Sequence, residues 1–294
     1  MSETQTPRLM NPLTAWWRLT RGANAILAGA AAWVGVLLAT GEWLVSALPG
    51  AILTPILIAA AGNIDNDWCD RAIDAGNNSD HPLVTGAVLP AAARLVSAAL
   101  YIGGLVAAAW CGWWAAALAV FVVLLLLLYN RRLAGVPAAG NLAIALLGAL
   151  PILYGAVSAA PAEHSRWLAA GLGAMVAFWL HLAREILKDV LDAEGDANVG
   201  RRTLAITLGQ NAAVRVAGVI MFTAAVFAFS IGLGGWFGLL YLFGVIVTIV
   251  PALLLGAAQC GFNPSLEAAS RWSAGLKLCM IAGLAWLVLG RMRP

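Results

Sequence analysis

Asp67, Asp70 and Asp74 are spaced by three and then four residues, and Asp189, Asp192 and Asp196 repeat that spacing. On a helix, positions i, i+3 and i+7 share one face, so each trio projects together. Asn63 lies one turn before the first trio and Glu185 one turn before the second. Like charges so placed repel by roughly a few tenths of a kcal/mol per exposed pair, and by more beside a low-dielectric medium. Something cationic should offset them. Carboxylate and carboxamide oxygens are hard ligands suited to Mg2+, Mn2+ or Ca2+. Mg2+ commonly takes one or two protein carboxylates and completes its shell with water and phosphate oxygens. Arg71, Arg131, Arg132, Arg184, Lys188, Arg201 and Arg202 stand near the trios in sequence. Such a mixture reads as an anion held through metal, and two facing trios could hold two ions around one diphosphate.

The elements that must position these acids are apolar. The chain has 294 residues, is 62% hydrophobic and only 11% charged, and its mean hydropathy is +0.87. A soluble domain carries roughly 25% charged residues, so this chain needs an apolar solvent. The runs are long, continuous and rich in Ala and Leu, which excludes the short alternating segments of a membrane β-barrel. An all-α polytopic membrane protein is predicted, with about nine transmembrane helices. The spans run near 22–40, 43–63, 88–109, 112–130, 138–159, 167–186, 212–233, 236–257 and 272–290. A short polar tail, 1–14, precedes them. It lacks the basic start of a cleaved leader, and no gap is long enough for a second domain. The chain therefore reads as one transmembrane domain over 1–294.

Of the 17 Lys and Arg residues, only Arg166, Arg291 and Arg293 fall outside if the N-terminus is inside, with Arg94 and Lys277 near the inner ends of their spans. Positive charge gathers on the cytoplasmic side. This predicts an integral, multi-pass protein with the N-terminus and both acidic trios on the cytoplasmic side and the C-terminus outside. The net charge of +3 is accounted for by that topology and does not point to nucleic acid. Cys69, Cys111, Cys260 and Cys279 form no C-x-x-C pair, which argues against a zinc site or a disulfide framework.

Two other readings of the acids compete. Polar loops carry Asp and Arg merely for solvation, but that does not explain a matched spacing on one side of the membrane. A cation transporter would also need carboxylates, but usually within its spans near the midplane, whereas these stand at span ends.

The stretches "NDWCDRAID" and "KDVLDAEGD" resemble the two Asp-rich motifs of the UbiA superfamily of intramembrane prenyltransferases. "RGANAILA", "YNRRLAGVPAAGN" and "GRRTLAITLG" extend the resemblance over most of the chain. It implies Mg2+-dependent transfer of a prenyl group from a polyprenyl diphosphate to a lipophilic acceptor, in a cavity open to membrane lipids. Asn63, Asp67 and Asp70 would hold one metal, with Asp74 beside them. Asp192 and Asp196 would hold the second, supported by Asp189. Lys188, Arg132, Arg71 and Asn24 would meet the diphosphate. Two divalent ions would stabilise the departing oxygens, and aromatic walls would shelter an allylic cation from water. Tyr129, Tyr154, Phe178 and Trp179 are candidates for those walls, and Asn141 and His181 for other cavity positions.

"REILKDVLDAEGD" with "GRRTL" is similar to the branch of geranylgeranylglycerol-phosphate geranylgeranyltransferases. This implies a geranylgeranyl donor and geranylgeranylglyceryl phosphate as acceptor. An aromatic quinone precursor or a chlorin is the other acceptor class. Three positions depart from the family pattern: His81 stands where D-R-P is usual, Gly22-Ala23 where R-P-x-N is usual, and Ala134 where a lysine is common.

Overall fold

The computed structural model describes residues 10–76, 80–159 and 164–291. A short helix α1 (Pro12–Thr20) precedes α2 (Gly22–Thr40), α3 (Leu48–Gly76), α4 (Pro90–Trp110) and α5 (Trp113–Leu128). A π-helical turn over Tyr129–Leu133 extends α5. Then come α6 (Ala139–Ala159), α7 (His164–Asn198), the short α8 (Leu204–Leu208), α9 (Gln210–Leu233) and α10 (Leu239–Gly244). A second π-turn, Val245–Ile249, joins α10 to α11 (Val250–Phe262), and α12 (Leu266–Arg291) ends the chain. Among the described residues nine helical stretches are long and apolar enough to cross a membrane, and there is no strand.

The order of packing follows the chain. α2 lies on α3, α3 on α4, α4 on α5, α5 on α6 and α6 on α7. α7 meets α9 and α12, and α12 returns to touch α2 along a short seam. In lipid the hydrophobic effect does not drive helices together, so close backbone approach through small residues matters most. The α2–α6 crossing shows this. A Cβ at Gly35 would overlap the Ile152 carbonyl oxygen, and one at Gly155 the Ala32 carbonyl oxygen. Gly155→Val is expected to push the two helices apart and cost about 1–3 kcal/mol, read as a fall in the thermal unfolding temperature of purified protein.

Two boundaries differ from the sequence expectation in ways that matter for the site. α3 and α7 do not stop where hydropathy stops. α3 runs to Gly76 and α7 to Asn198, because the acidic motifs continue the same hydrogen-bonded ladder. At 1.5 Å per residue the 35 residues of α7 span about 52 Å, well beyond a hydrocarbon core of about 30 Å. The motifs thus sit on rigid helix extensions rather than on loops. The helix α12 likewise begins at Leu266, ahead of the apolar window near 272, and Lys277 lies about three turns into it.

α1 ends and α2 begins at Arg21, whose backbone is left-handed (φ 47°). Non-glycine residues adopt that region at a cost and cluster at functional sites. Here the turn carries the Arg21 side chain to the end of α3, where it bonds Asp67 and Asn66.

A candidate diphosphate site at the mouth of an apolar cavity

A cavity of about 580 Å³ opens between α2, α3, α5, α6, α7 and α12. Its far part is apolar, with Ile58, Val122, Leu150 and Leu284 among its lining. Pro55 and Pro151 line it too. Each lies inside a helix, where proline leaves a backbone carbonyl without its usual donor. The other end is polar, bearing Asn63, Asn66 and Asp70 from α3 and Asp189, Asp192 and Asp196 from α7. A smaller recess of about 290 Å³, lined by Arg18, Arg21, Asn66, Asp67, Asp70, Asp74, His81 and Pro82, adjoins it.

Arg201 joins the two motifs. Its Nη2 donates to Asp70 Oδ1 at a short distance, and its Nη1 to Asp196 Oδ1 at 3.4 Å. Burial works against its charge, but the bonds and negative charges of Asp70 and Asp196 together outweigh it, so its pKa is raised. Asp67 is 6% exposed and is held by Arg21 Nη2 at 3.0 Å and by His81 Nε2 at 3.0 Å. Burial pushes the Asp74 carboxyl up from its ordinary value against the pull of His81, and Asp70 and Asp67 add to the rise.

The donor chemistry fits hard divalent cations. Asn63 gives its Nδ2 to the Thr20 carbonyl (2.9 Å), which leaves Oδ1 as its metal-competent atom. Among the described residues no three acidic, His or Cys side chains already converge as a closed metal cage. The arrangement fits ions that draw part of their shell from water and a phosphate ligand.

The sequence matches the model of the UbiA prenyltransferase family over residues 25–286. The chain belongs to this family. The UbiA prenyltransferase is 36% identical to the digeranylgeranylglyceryl phosphate synthase of Methanoculleus marisnigri over 279 residues, 93% of this chain and 96% of that one. It is 33% identical to the enzyme of the same name from Natronomonas pharaonis over 282 residues, 93% and 95% of the two chains. A solved structure of a digeranylgeranylglyceryl phosphate synthase in membranes superposes with TM-score 0.78 at 26% identity, covering 96% of this chain and 99% of that one. A UbiA homolog from Archaeoglobus fulgidus bound to GPP and Mg2+ shares the fold at TM-score 0.64 and 18% identity, covering 93% and 99%. The protein is therefore an enzyme that transfers prenyl groups.

Within this prenyltransferase the expected site residues separate. Asn24, Tyr129, Tyr154, His181 and Lys188 line the cavity. Asn141 stands behind it, donating from Nδ2 to Asp189 Oδ2 at 2.8 Å. His181 fits because Gly148 has no Cβ to meet its ring. Lys188 Nζ bonds Glu185 Oε2 at 3.0 Å, and Arg184 Nη1 bonds Glu185 Oε1 at 3.0 Å.

Arg71 and Arg132, expected to meet the diphosphate, stand outside the cavity lining. Arg71 comes one residue after Asp70, so about 100° around the helix. Its guanidinium stacks 4.3 Å from the Trp68 ring centroid, and Arg94 takes that same ring at 4.5 Å. Arg132 is exposed and absent from the cavity lining, as is Arg202. Arg131 forks onto Asp65 (3.0 and 3.2 Å), where Asn130 also bonds at 3.0 Å. The π-turn places both of these residues there. Phe178 and Trp179 pack edge to face with each other, centroids 5.5 Å apart, and do not line the cavity.

Sequence reasoning left Asn66 and Arg21 out of the site, and it placed Arg201 near the trios without showing that it ties the two together. Asn66 had a signal, since it precedes Asp70 and Asp74 by four and eight residues on the same helix and donates to Asp70 Oδ2 (3.4 Å). Arg21 and Arg201 join partners 46 and 131 residues away, and no local spacing announces that.

Proposed function

We propose that the enzyme transfers a geranylgeranyl group from geranylgeranyl diphosphate to the free hydroxyl of geranylgeranylglyceryl phosphate, releasing pyrophosphate. The convergence of Asp70 and Asp196 on Arg201, at the mouth of a cavity whose depth is apolar, carries this reading. A charged head and a hydrocarbon tail find opposite environments in one continuous space. The names of the similar enzymes support the choice of acceptor.

Mg2+ bound by Asn63, Asp67 and Asp70 on α3, and by Asp192 and Asp196 on α7, would supply positive charge to the departing diphosphate. Arg201 would turn from the carboxylates toward the same oxygens, adding a fixed donor where charge grows. The bond that breaks joins C1 of the prenyl chain to the diphosphate oxygen, which keeps the electron pair. The bond that forms joins C1 to the acceptor oxygen, whose proton passes to the released diphosphate. Tyr129 and Tyr154 offer ring faces to the allylic cation, and the apolar walls exclude the water that would quench it. Asp189, held by Asn141, keeps the second motif in register. The gathering of positive charge supports a mouth that opens on the cytoplasmic side.

Purified enzyme incubated with geranylgeranyl diphosphate, Mg2+ and geranylgeranylglyceryl phosphate is expected to yield the doubly prenylated phosphate by mass spectrometry. Pyrophosphate release without that product, or a product made only from an aromatic acceptor, would contradict the reading.

A further inference from the structure

Lys277 is a lysine inside a membrane span, and ionisable residues there mark function by default. It lies 11 residues from the start of α12 at Leu266, about 16 Å along the axis. Its side chain is accessible rather than packed away. It faces the cavity, because Met280, Ile281 and Leu284 line the same space and follow it at helical spacing. No acid bonds it among the described residues.

The depth of Lys277 can be placed. α7 and α12 cross the membrane in opposite directions and pack together, with Gly173 against Leu287. From Gly173 to Arg184 is 11 residues, and from Leu287 back to Lys277 is 10, so both travel about 15–16 Å. Lys277 and Arg184 therefore stand at one level of the cavity, beside Lys188. The cavity's other cations are spoken for: Arg21 by Asp67, and Arg201 by Asp70 and Asp196. Arg184, Lys188 and Lys277 have only Glu185 bonded among them, and Arg184 Nε is buried with no acceptor. A cavity-lining lysine bonded to no acid, with an unpartnered guanidinium N–H at its level, can donate charge-assisted hydrogen bonds to an entering anion.

In the function proposed above the carboxylate motifs take the diphosphate, which leaves these cations to a second anion. We propose that Lys277 and Arg184 form a second anion subsite that takes the phosphate monoester of the acceptor lipid, an inference that rests on the function proposed above. The phosphate-bearing carbon of that acceptor adjoins the carbon bearing the reactive hydroxyl. Holding the phosphate here presents the hydroxyl to the prenyl C1 at the neighbouring motifs.

Lys277→Gln is expected to raise KM for geranylgeranylglyceryl phosphate at least about tenfold, the scale of one charge-assisted hydrogen bond. KM for geranylgeranyl diphosphate is expected to move less than about twofold on the same scale. Lys277→Arg should recover most of the loss. Lys277→Met, which keeps the stem and suits the span, serves as the second variant if the glutamine protein does not fold. If the wild type transfers to the phosphate acceptor and the variants keep its KM, or if both KM values rise together, the subsite is overturned and the proposed function stands. If the wild type does not use that acceptor at all, both fall.

Discussion

Asp192→Asn is expected to lower turnover at least about 10³-fold while leaving thermal stability at the wild-type value. Asp192 is exposed and lines the cavity, and no side chain of the described residues is bonded to it. A residue with no structural partner can be neutralised without unpairing anything else. Its charge must therefore matter through what arrives from outside the chain. If that is a divalent ion neutralising a leaving diphosphate, losing one carboxylate removes several kcal/mol from the transition state. Steady-state turnover with saturating Mg2+, alongside an unfolding curve, separates the two effects. Turnover within about tenfold of wild type would show that the second motif does not serve the leaving group.

Arg201→Gln is expected to act on both stability and rate. In the ion-free protein the guanidinium is bonded to Asp70 and Asp196, whose side chains are only 20% and 13% exposed. Removing it leaves two partly buried carboxylates facing each other, at a cost of about 2–3 kcal/mol. The unfolding temperature should fall by several degrees without divalent ions. Mg2+ or Mn2+ should then stabilise the variant more than the wild type, because the ions replace the missing positive charge. Turnover should drop about 10²-fold even with saturating Mg2+, since a fixed donor to the leaving group is gone. Equal responses of both proteins to Mn2+ would show that Arg201 does not stand in for metal at the two motifs.

The two experiments also mark what the sequence made legible. The acidic trios were readable because helical periodicity alone puts i, i+3 and i+7 on one face, and both trios proved to be helical. The spans were readable because apolar solvent leaves so little choice of residue. Hydropathy did not show where the helix α12 begins, because Glu267 and Arg271 break the apolar window although the helix runs through them. The basic residues were harder still. Arg71, Arg131 and Arg201 are all near acids in sequence, yet one stacks on Trp68, one forks onto Asp65 and one ties the motifs together. Which acid an arginine meets is decided by helix rotation and by packing across more than a hundred residues, and composition encodes neither. His81, the substitute for the usual arginine, is likewise given meaning only by the fold, which brings its Nε2 to Asp67.

The central claim is that the two motifs together hold one prenyl diphosphate head through divalent ions. Calorimetric titration of the enzyme with an unreactive geranylgeranyl thiodiphosphate tests it most directly. Tight binding with Mg2+, lost on adding excess EDTA, is the predicted result. Binding of the analogue with the same affinity in EDTA would contradict it.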